Sequence, residues 1–411
     1  MLRKGAQYAV CNLVLLVLLC SVSFADEFHY NNFLIGDRAA GMGGAYTAIS
    51  DDPSGLYYNP AGVVYATGKN LSASVNAYYN KTKKYEGVIG GNGWERNSSS
   101  LLPNFFGITQ PLGSFTFGFS YAVPDSILEN QSQVFADVPT TFGTASQYII
   151  NFNNEDTTYN FGPSLAYELN SKLSVGGTLY LHHRSNRSIL NQIIMLPGGG
   201  GAEWDNQYIS VVERGLRPVL GVMWSPVEKL TVGLSLAKTF LYSESKNIQL
   251  TTKAPGAEPN VLFGSVPGKR KFPFEIRAGV AYFASSSFLI SVDGSYYTKV
   301  TDPDFGDRVS VFNGALGAEY YLSKEWAVRG GLFSNAANTP KLQIDRMNQD
   351  EHVNLRGISA SISNFSRNTS ITFGANYTTG KGQAQIIGDT INIQDVKETG
   401  LMMFLSSSYS Y

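Results

Sequence analysis

The stretch SFTFGFSYAV, Ser114–Val123, decides the fold. Phe115, Phe117, Phe119, Tyr121 and Val123 share one parity, and Thr116, Gly118, Ser120 and Ala122 share the other. This is the period of a β-strand with one apolar face and one small, polar face. The pattern returns at Leu230, Val232, Leu234 and Leu236 against Thr231, Gly233, Ser235 and Ala237. It returns again at Phe288, Ile290, Val292, Gly294 and Tyr296 against Ser291, Asp293 and Ser295. A soluble sandwich alternates in the same way, so the connections must discriminate. Short turns (PLG, NSK, SPVEK, ASSS, SKE, SRN) take turns with long, Gly/Asn/Ser-rich connections such as 81–100, 125–155, 187–206 and 244–268. Tight periplasmic turns and long external loops are the asymmetry of an up-and-down barrel in an outer membrane, here about 14 antiparallel strands between residues 69 and 411. Trp224 and Trp326 fall beside short turns, where an interfacial aromatic girdle sits, and Tyr409 and Tyr411 close the last strand. A terminal aromatic of this kind is similar to the signal read by bacterial barrel-assembly machinery.

Composition agrees with a barrel wall in lipid. Of the 411 residues only 15% are charged, against about 25% in an average soluble domain, while Gly (42), Tyr (24) and Phe (24) abound. The net charge of -1 gives no basic excess for a nucleic-acid partner. At the N-terminus, Arg3 and Lys4 precede an apolar run, Leu13–Leu19, and Ser23-Phe24-Ala25 offers a cleavage site. Residues 1–25 therefore read as a signal peptide; the run is far short of the roughly 20 residues of a spanning helix. Lipidation at Cys20 is the alternative, disfavoured because Leu19 stands where a small residue is expected. Both cysteines, Cys11 and Cys20, lie in this leader, so a mature chain would contain no disulfide.

Residues 26–68 do not alternate and have no place in a wall, which leaves 69–411 as the barrel. A barrel of about 14 strands is too wide for its own side chains to fill, so its lumen is open or plugged. The segment "SDDPSGLYYNPAGVVYA", Ser50–Ala66, suits a plug. Asp52 reads as a helix N-cap with Pro53 at the first helical position, and Pro60 as the end of that short helix. Asn59 has an amide able to satisfy backbone groups at a turn, Pro60 fixes the backbone, and Ala61 and Gly62 leave room for close approach to the wall or a ligand, so these four residues read as the movable gate of the plug.

The run "RAAGMGGAYTAISDDPSGLYYNPAG", Arg38–Gly62, resembles the N-terminal hatch of the FadL family of outer-membrane transporters for long-chain fatty acids and other hydrophobic compounds. The family's Asn-Pro-Ala motif falls at Asn59, Pro60 and Ala61. PorV-like relatives that act in protein secretion share the pattern. The resemblance implies a 14-stranded barrel with the hatch inside it, passive inward movement of a hydrophobic ligand, and lateral exit through a gap at a kinked third strand, here Ser114–Pro124 with Gly118 as the kink. A secretion component and a general porin are the alternatives.

No nucleophile elbow, phosphate loop, metal-ligand set or cofactor fingerprint occurs, and the chain does not read as an enzyme. His182 and His183 are adjacent on a strand and point to opposite faces, so they cannot chelate one ion. A wall Ser/His pair is the remaining catalytic alternative. For ligand capture, Ile189, Leu190, Ile193, Ile194, Met195 and Leu196 make an apolar patch in an external loop, and Val261, Leu262 and Phe263 make another. By parity Glu213, Arg217, Glu275, Arg277, Asp293, Lys299, Glu319 and Arg329 face the lumen, with Arg356 a weaker candidate. There they would hold the hatch, or in the case of the cations Arg217, Arg277, Arg329 and Lys299 receive a ligand carboxylate.

Overall fold

The computed structural model describes residues 28–66, 68–140, 143–303, 305–386 and 391–410; the leader with Cys11 and Cys20, and Tyr411, lie outside them. The sheet is built from β1 (Asn70–Ile89), β2 (Asn92–Leu112), β3 (Phe115–Thr140), β4 (Gly143–Asn170), β5 (Leu173–Met195) and β6 (Ala202–Val227). It continues through β7 (Leu230–Ala237), β8 (Phe240–Lys253), β9 (Asn260–Val266), β10 (Glu275–Phe283) and β11 (Phe288–Tyr297). The remaining strands are β12 (Val311–Tyr321), β13 (Trp326–Asn335), β14 (His352–Phe365), β15 (Thr369–Ala384) and β16 (Gln394–Ser410). Pairing is antiparallel throughout and closes between β1 and β16. The 16 segments make a 14-stranded wall. Both β7 and β8 pair with β6, on either side of a break at Lys238–Thr239. Likewise β9 pairs with β8 and β10 with β7, so these two are halves of the next strand, interrupted at 267–274.

Alternation sorts side chains as the sequence predicts. Phe117 is 47% exposed and Val292 56%, whereas Ser120 and Ser291 are fully buried. Val123 departs from the pattern: it is buried, because the β3–β4 register shifts between Ala122 and Asp125 and turns it inward.

The long external connections are the main correction. The stretches 81–100, 125–155, 187–206 and 244–268 are largely paired strand rather than loop. β4 has 28 residues, roughly 90 Å at 3.3 Å per residue, against an apolar band about 25 Å tall. Above the band both faces of a strand can be polar, as at Asn130, Gln131, Ser132 and Gln133, so no period-two apolar signal marks them.

The lumen holds residues 28–66, with helices α1 (Asp37–Gly41) and α2 (Gly55–Tyr58) and a 3-10 helix, Pro60–Tyr65. Ile35, Ala39, Met42 and Tyr46 from this segment share one buried cluster with the wall residues Phe105, Tyr180, Val219 and Phe404. A second cluster, including Tyr85, Trp94, Phe135, Ile150 and Val353, fills the extension of the wall beyond the membrane.

Phe117→Arg and Val292→Arg are each expected to reduce assembly, since an arginine near the bilayer midplane costs about 2–4 kcal/mol. Ser132→Arg, exposed on the extension of β3, should assemble normally. Heat-modifiability on gels reads the difference, and equal behaviour of the three variants would contradict the placement of the band.

Candidate functional site

The plug is fastened to the wall by polar contacts all round the ring. Arg38 reaches Glu319 of β12 through two parallel bonds of 2.8 Å, and Asp51 at 2.5 Å. Arg329 of β13 binds the same Glu319 at 2.5 Å and Ser363 at 2.5 Å. Asp293 of β11 accepts the backbone N–H groups of Tyr46 (3.0 Å) and Thr47 (2.7 Å). Ser359 Oγ donates to Gly41 O, Thr178 Oγ1 to Leu56 O and Ser174 Oγ to Ala61 O, at 2.8–2.9 Å.

Asn59 is the joint of the plug. It is fully buried, its amide donates to Thr47 O (2.9 Å) and to Val222 O of the wall (3.0 Å), and its Oδ1 accepts Ala61 N–H at 3.2 Å. Such proximity requires Gly221 on β6: a Cβ there would lie 2.0 Å from Asn59 Oδ1 and 3.0 Å from Pro60. Pro60 does not simply end a helix; it occupies the first position of the 3-10 helix, where its missing N–H costs nothing. Gly62 N–H bonds Asn59 O at 3.0 Å, and a Cβ on Gly62 would strike Ser50. Asp52 is no N-cap either. Its Oδ1 accepts Ser54 N–H and Oγ–H in a turn, and α2 begins only at Gly55. Burial raises the Asp52 pKa, and the charge of Asp37 adds to the shift.

On the extracellular side of the plug lies an open chamber of about 1040 Å³, its mouth included. Tyr57, Phe272 and Tyr297 give it aromatic surface, and His182, Arg217 and Arg270 give it polar surface. Arg217 Nη2 binds Glu275 at 2.5 Å, while its Nε has no hydrogen-bond partner among the described residues. Arg277 lies outside the chamber lining, bonded to Glu275 and over the rings of Tyr57 (5.5 Å) and Tyr58 (5.2 Å). Glu213 is fully buried between Arg184 (2.6 Å) and Arg270 (3.0 Å). His182 faces inward beside Asn160, and His183 lies near Tyr159 with its ring stacked at 6.2 Å. Two expected lumen cations are elsewhere. Lys299 is exposed because β11 ends at Tyr297 and parity lapses beyond it, and Arg356 lies on the exposed parity of β14.

The wall has a gap in its pairing beside this chamber, between β2 and β3. β2 and β3 pair at Ser98↔Glu129 and again at Phe105↔Ala122, with no ladder pair between. The plug supplies partners there: Phe33 N–H donates to Pro124 O (3.0 Å), Asn104 to Leu34 O (3.3 Å) and Asn32 to Asp125 (3.1 Å). Asn32, Pro124 and Asp125 also line the chamber. The irregularity is thus at 122–125, not at Gly118, which lies in regular pairing and leaves room for Leu56, 2.8 Å from where a Cβ would be. Sequence reading missed the arm 32–34; Pro124 inside an alternating run, where proline marks a bulge, was the available signal.

The proposed capture residues are not in loops. Ile193, Ile194 and Met195 end β5, paired to both β4 and β6, and Ile194 packs against the upper apolar cluster. Leu196 follows the strand, half-buried. Leu262 and Phe263 lie on β9, where Phe263 is 78% exposed.

The profile of an outer membrane protein transport family (OMPP1/FadL/TodX) matches residues 16–253, more than half of the chain. The chain belongs to this family. It is accordingly an outer-membrane transport protein of the hydrophobic-compound type, and not an enzyme. The fold is that of solved family members. The CymD monoaromatic hydrocarbon channel is 17% identical with a TM-score of 0.60, covering 92% of this chain and 97% of its own. A FadL homologue from Pseudomonas aeruginosa is 14% identical (TM-score 0.62; 95% and 100% covered), and the toluene transporter TodX of P. putida 14% (0.63; 91% and 97%). No curated protein matches the chain.

Asp293→Ala removes two bonds to the plug backbone and should loosen it without disturbing the wall. Planar-bilayer recordings are expected to show ion-conducting openings several-fold more often than in the parent protein. A record as silent as the parent's would remove Asp293 from the fastening.

Proposed function

We propose that the protein takes up a long-chain fatty acid, or another hydrophobic small molecule of that kind, holds it in the chamber and releases it sideways through the β2–β3 gap. The observation that carries this reading is that the plug's arm, Asn32–Leu34, bonds across the gap and, through Asn32, lines the chamber at once. Displacing a few hydrogen bonds of the arm joins chamber to lipid, with no need to expel the whole plug. Lateral release keeps an apolar chain out of water and is favourable without an energy source. The aromatic rings receive an acyl chain, and the guanidinium of Arg217, a lumen cation that lines the chamber, suits a carboxylate head. Arg277 and Arg329, both engaged with carboxylates, hold the plug. First capture falls to Leu262 and Phe263, exposed on β9, with Met195 and Leu196 at the tip of β5. In this mechanism the turn Asn59–Gly62 is the fixed end of the plug and the arm its moving end.

The arm provides the test. In Asn32→Cys/Asp125→Cys, a short bis-maleimide should abolish uptake of radiolabelled oleate, while either single variant treated alike keeps it. Uncrosslinked double variant should transport. Undiminished uptake in the crosslinked protein would exclude the gap as the exit, and passage of sucrose at porin rates would favour a general pore. A PorV-like secretion component would take up no oleate in any form.

Leu262→Ser/Phe263→Ser should raise the half-saturating oleate concentration several-fold and leave the maximal rate unchanged. Identical kinetics at low oleate would move first capture away from β9.

A further inference from the structure

A second irregularity interrupts the wall on the side away from the gap, and it faces outward. Between β7 and β8 lie Lys238–Thr239, between β9 and β10 lie residues 267–274, and β11 has ended at Tyr297. Around these breaks a notch is lined by Lys238, Lys269, Arg270, Lys271 and Lys299, with no aspartate or glutamate in its lining. Arg270 is turned inward to Glu213 at 3.0 Å. Lys271 Nζ meets only the carbonyl of Thr301 (3.2 Å), and Lys238 sits over the rings of Phe274 (4.1 Å) and Phe240 (5.5 Å). Among the described residues none of the four lysines has a carboxylate partner. This is unlike the buried cations of the same barrel, where Lys81 pairs with Glu398 (2.8 Å), Lys83 with Glu351 (2.7 Å) and Arg96 with Glu129 (2.5 Å).

Height in the membrane gives the notch its meaning. From the periplasmic turn after Phe283, the nine residues of β10 make roughly 30 Å of strand, which at a tilt of about 35–45° rises roughly 21–24 Å and so ends near the upper edge of the apolar band. The lipid-facing side of that rise is apolar: Ile276, Val280 and Tyr282 on β10, Leu234 and Leu236 on β7. Phe274 and Phe240, both exposed, stand at its upper edge, and the lysines begin there. Four like charges stand at the level of the head groups, next to exposed rings, and none of them has an ion-pair partner among the described residues; the nearby Asp302 carboxylate accepts the backbone N–H of Lys271 (2.9 Å).

From this arrangement we infer that the notch binds an outer-leaflet lipid through its phosphates: Lys238, Lys269, Lys271 and Lys299 hold the phosphorylated head group while Phe240 and Phe274 lie against the acyl chains. A phosphorylated lipid supplies both halves at the right height; a free phosphate ion supplies only one. The site is separate from the chamber's own ligand. Segment 269–273 forms the partition, with Arg270, Lys271 and Phe272, together with Thr239, lining both spaces, whereas Lys238, Lys269 and Lys299 line the notch and not the chamber.

Purified protein in detergent can be titrated with bisphosphorylated lipid A and binding read by native mass spectrometry. The variant K238Q/K269Q/K271Q/K299Q should bind at least tenfold more weakly than the parent. A control with four lysines neutralised elsewhere, K172Q/K229Q/K324Q/K341Q, should bind like the parent. Heat-modifiability verifies folding, and K269Q/K271Q, altered only in the exposed connection, should lose several-fold should the quadruple variant not assemble. Equal binding by the quadruple and parent proteins would overturn the site. So would equal loss in the control, equally tight binding of the phosphate-free lipid, or full displacement of the lipid by millimolar inorganic phosphate.

Discussion

A strand in lipid has no water to satisfy its peptide groups, so every N–H and C=O in the wall must find a partner in the protein. Closure of β1 on β16 meets that demand for most of the ring, and the demand explains why the unpaired stretch between β2 and β3 is not left open. The backbone of Phe33 and Leu34 takes the place of a missing neighbour strand, bonding Pro124 O and the Asn104 side chain. A patch made by a separate segment differs from a ladder in one respect: a few bonds hold it, each worth only about 0.5–1.5 kcal/mol net. At the β2–β3 gap, therefore, the plug decides whether the wall is a wall.

The plug's own construction follows from size. Peptide backbone can approach a barrel wall only where the wall has no side chains, and Gly221, Gly233 and Gly331 provide those places: a Cβ on them would come within 2.0–2.3 Å of Asn59, Thr47 and Met42. Close approach then allows backbone hydrogen bonds, as from the N–H groups of Tyr46 and Thr47 to Asp293, beside the apolar cluster that plug and wall share. Asn59, Pro60, Ala61 and Gly62 are small or turn-forming because they occupy the tightest of these contacts.

The wall in contact with lipid was legible in the sequence because lipid imposes a period of two, plain in Phe115 to Tyr121 and in Leu230 to Leu236. The lumen charges Glu213, Glu275, Asp293 and Glu319 were legible for the same reason. Where the surroundings impose nothing the pattern vanishes. The extensions of β3 and β4 are wet on both faces and read as loops, Ile193 and Ile194 looked like a loop patch when they are strand, and Lys299 kept its parity on paper after β11 had ended. The role of Pro124 and of the arm 32–34 depends on pairing that is absent between two distant strands, a property no local window carries.

The wall is of very unequal height. β4 runs for 28 residues and β11 for 10, a difference of roughly 60 Å of strand at 3.3 Å per residue. The barrel's outer rim is consequently cut obliquely, like a sleeve trimmed on the slant, tall over β1–β6 and near the bilayer surface at β11–β13. A greasy solute arriving from bulk water meets a parapet over half the circumference. One already adsorbed to the outer leaflet meets the low sill by drifting in the plane of the membrane, and the search for the mouth becomes two-dimensional.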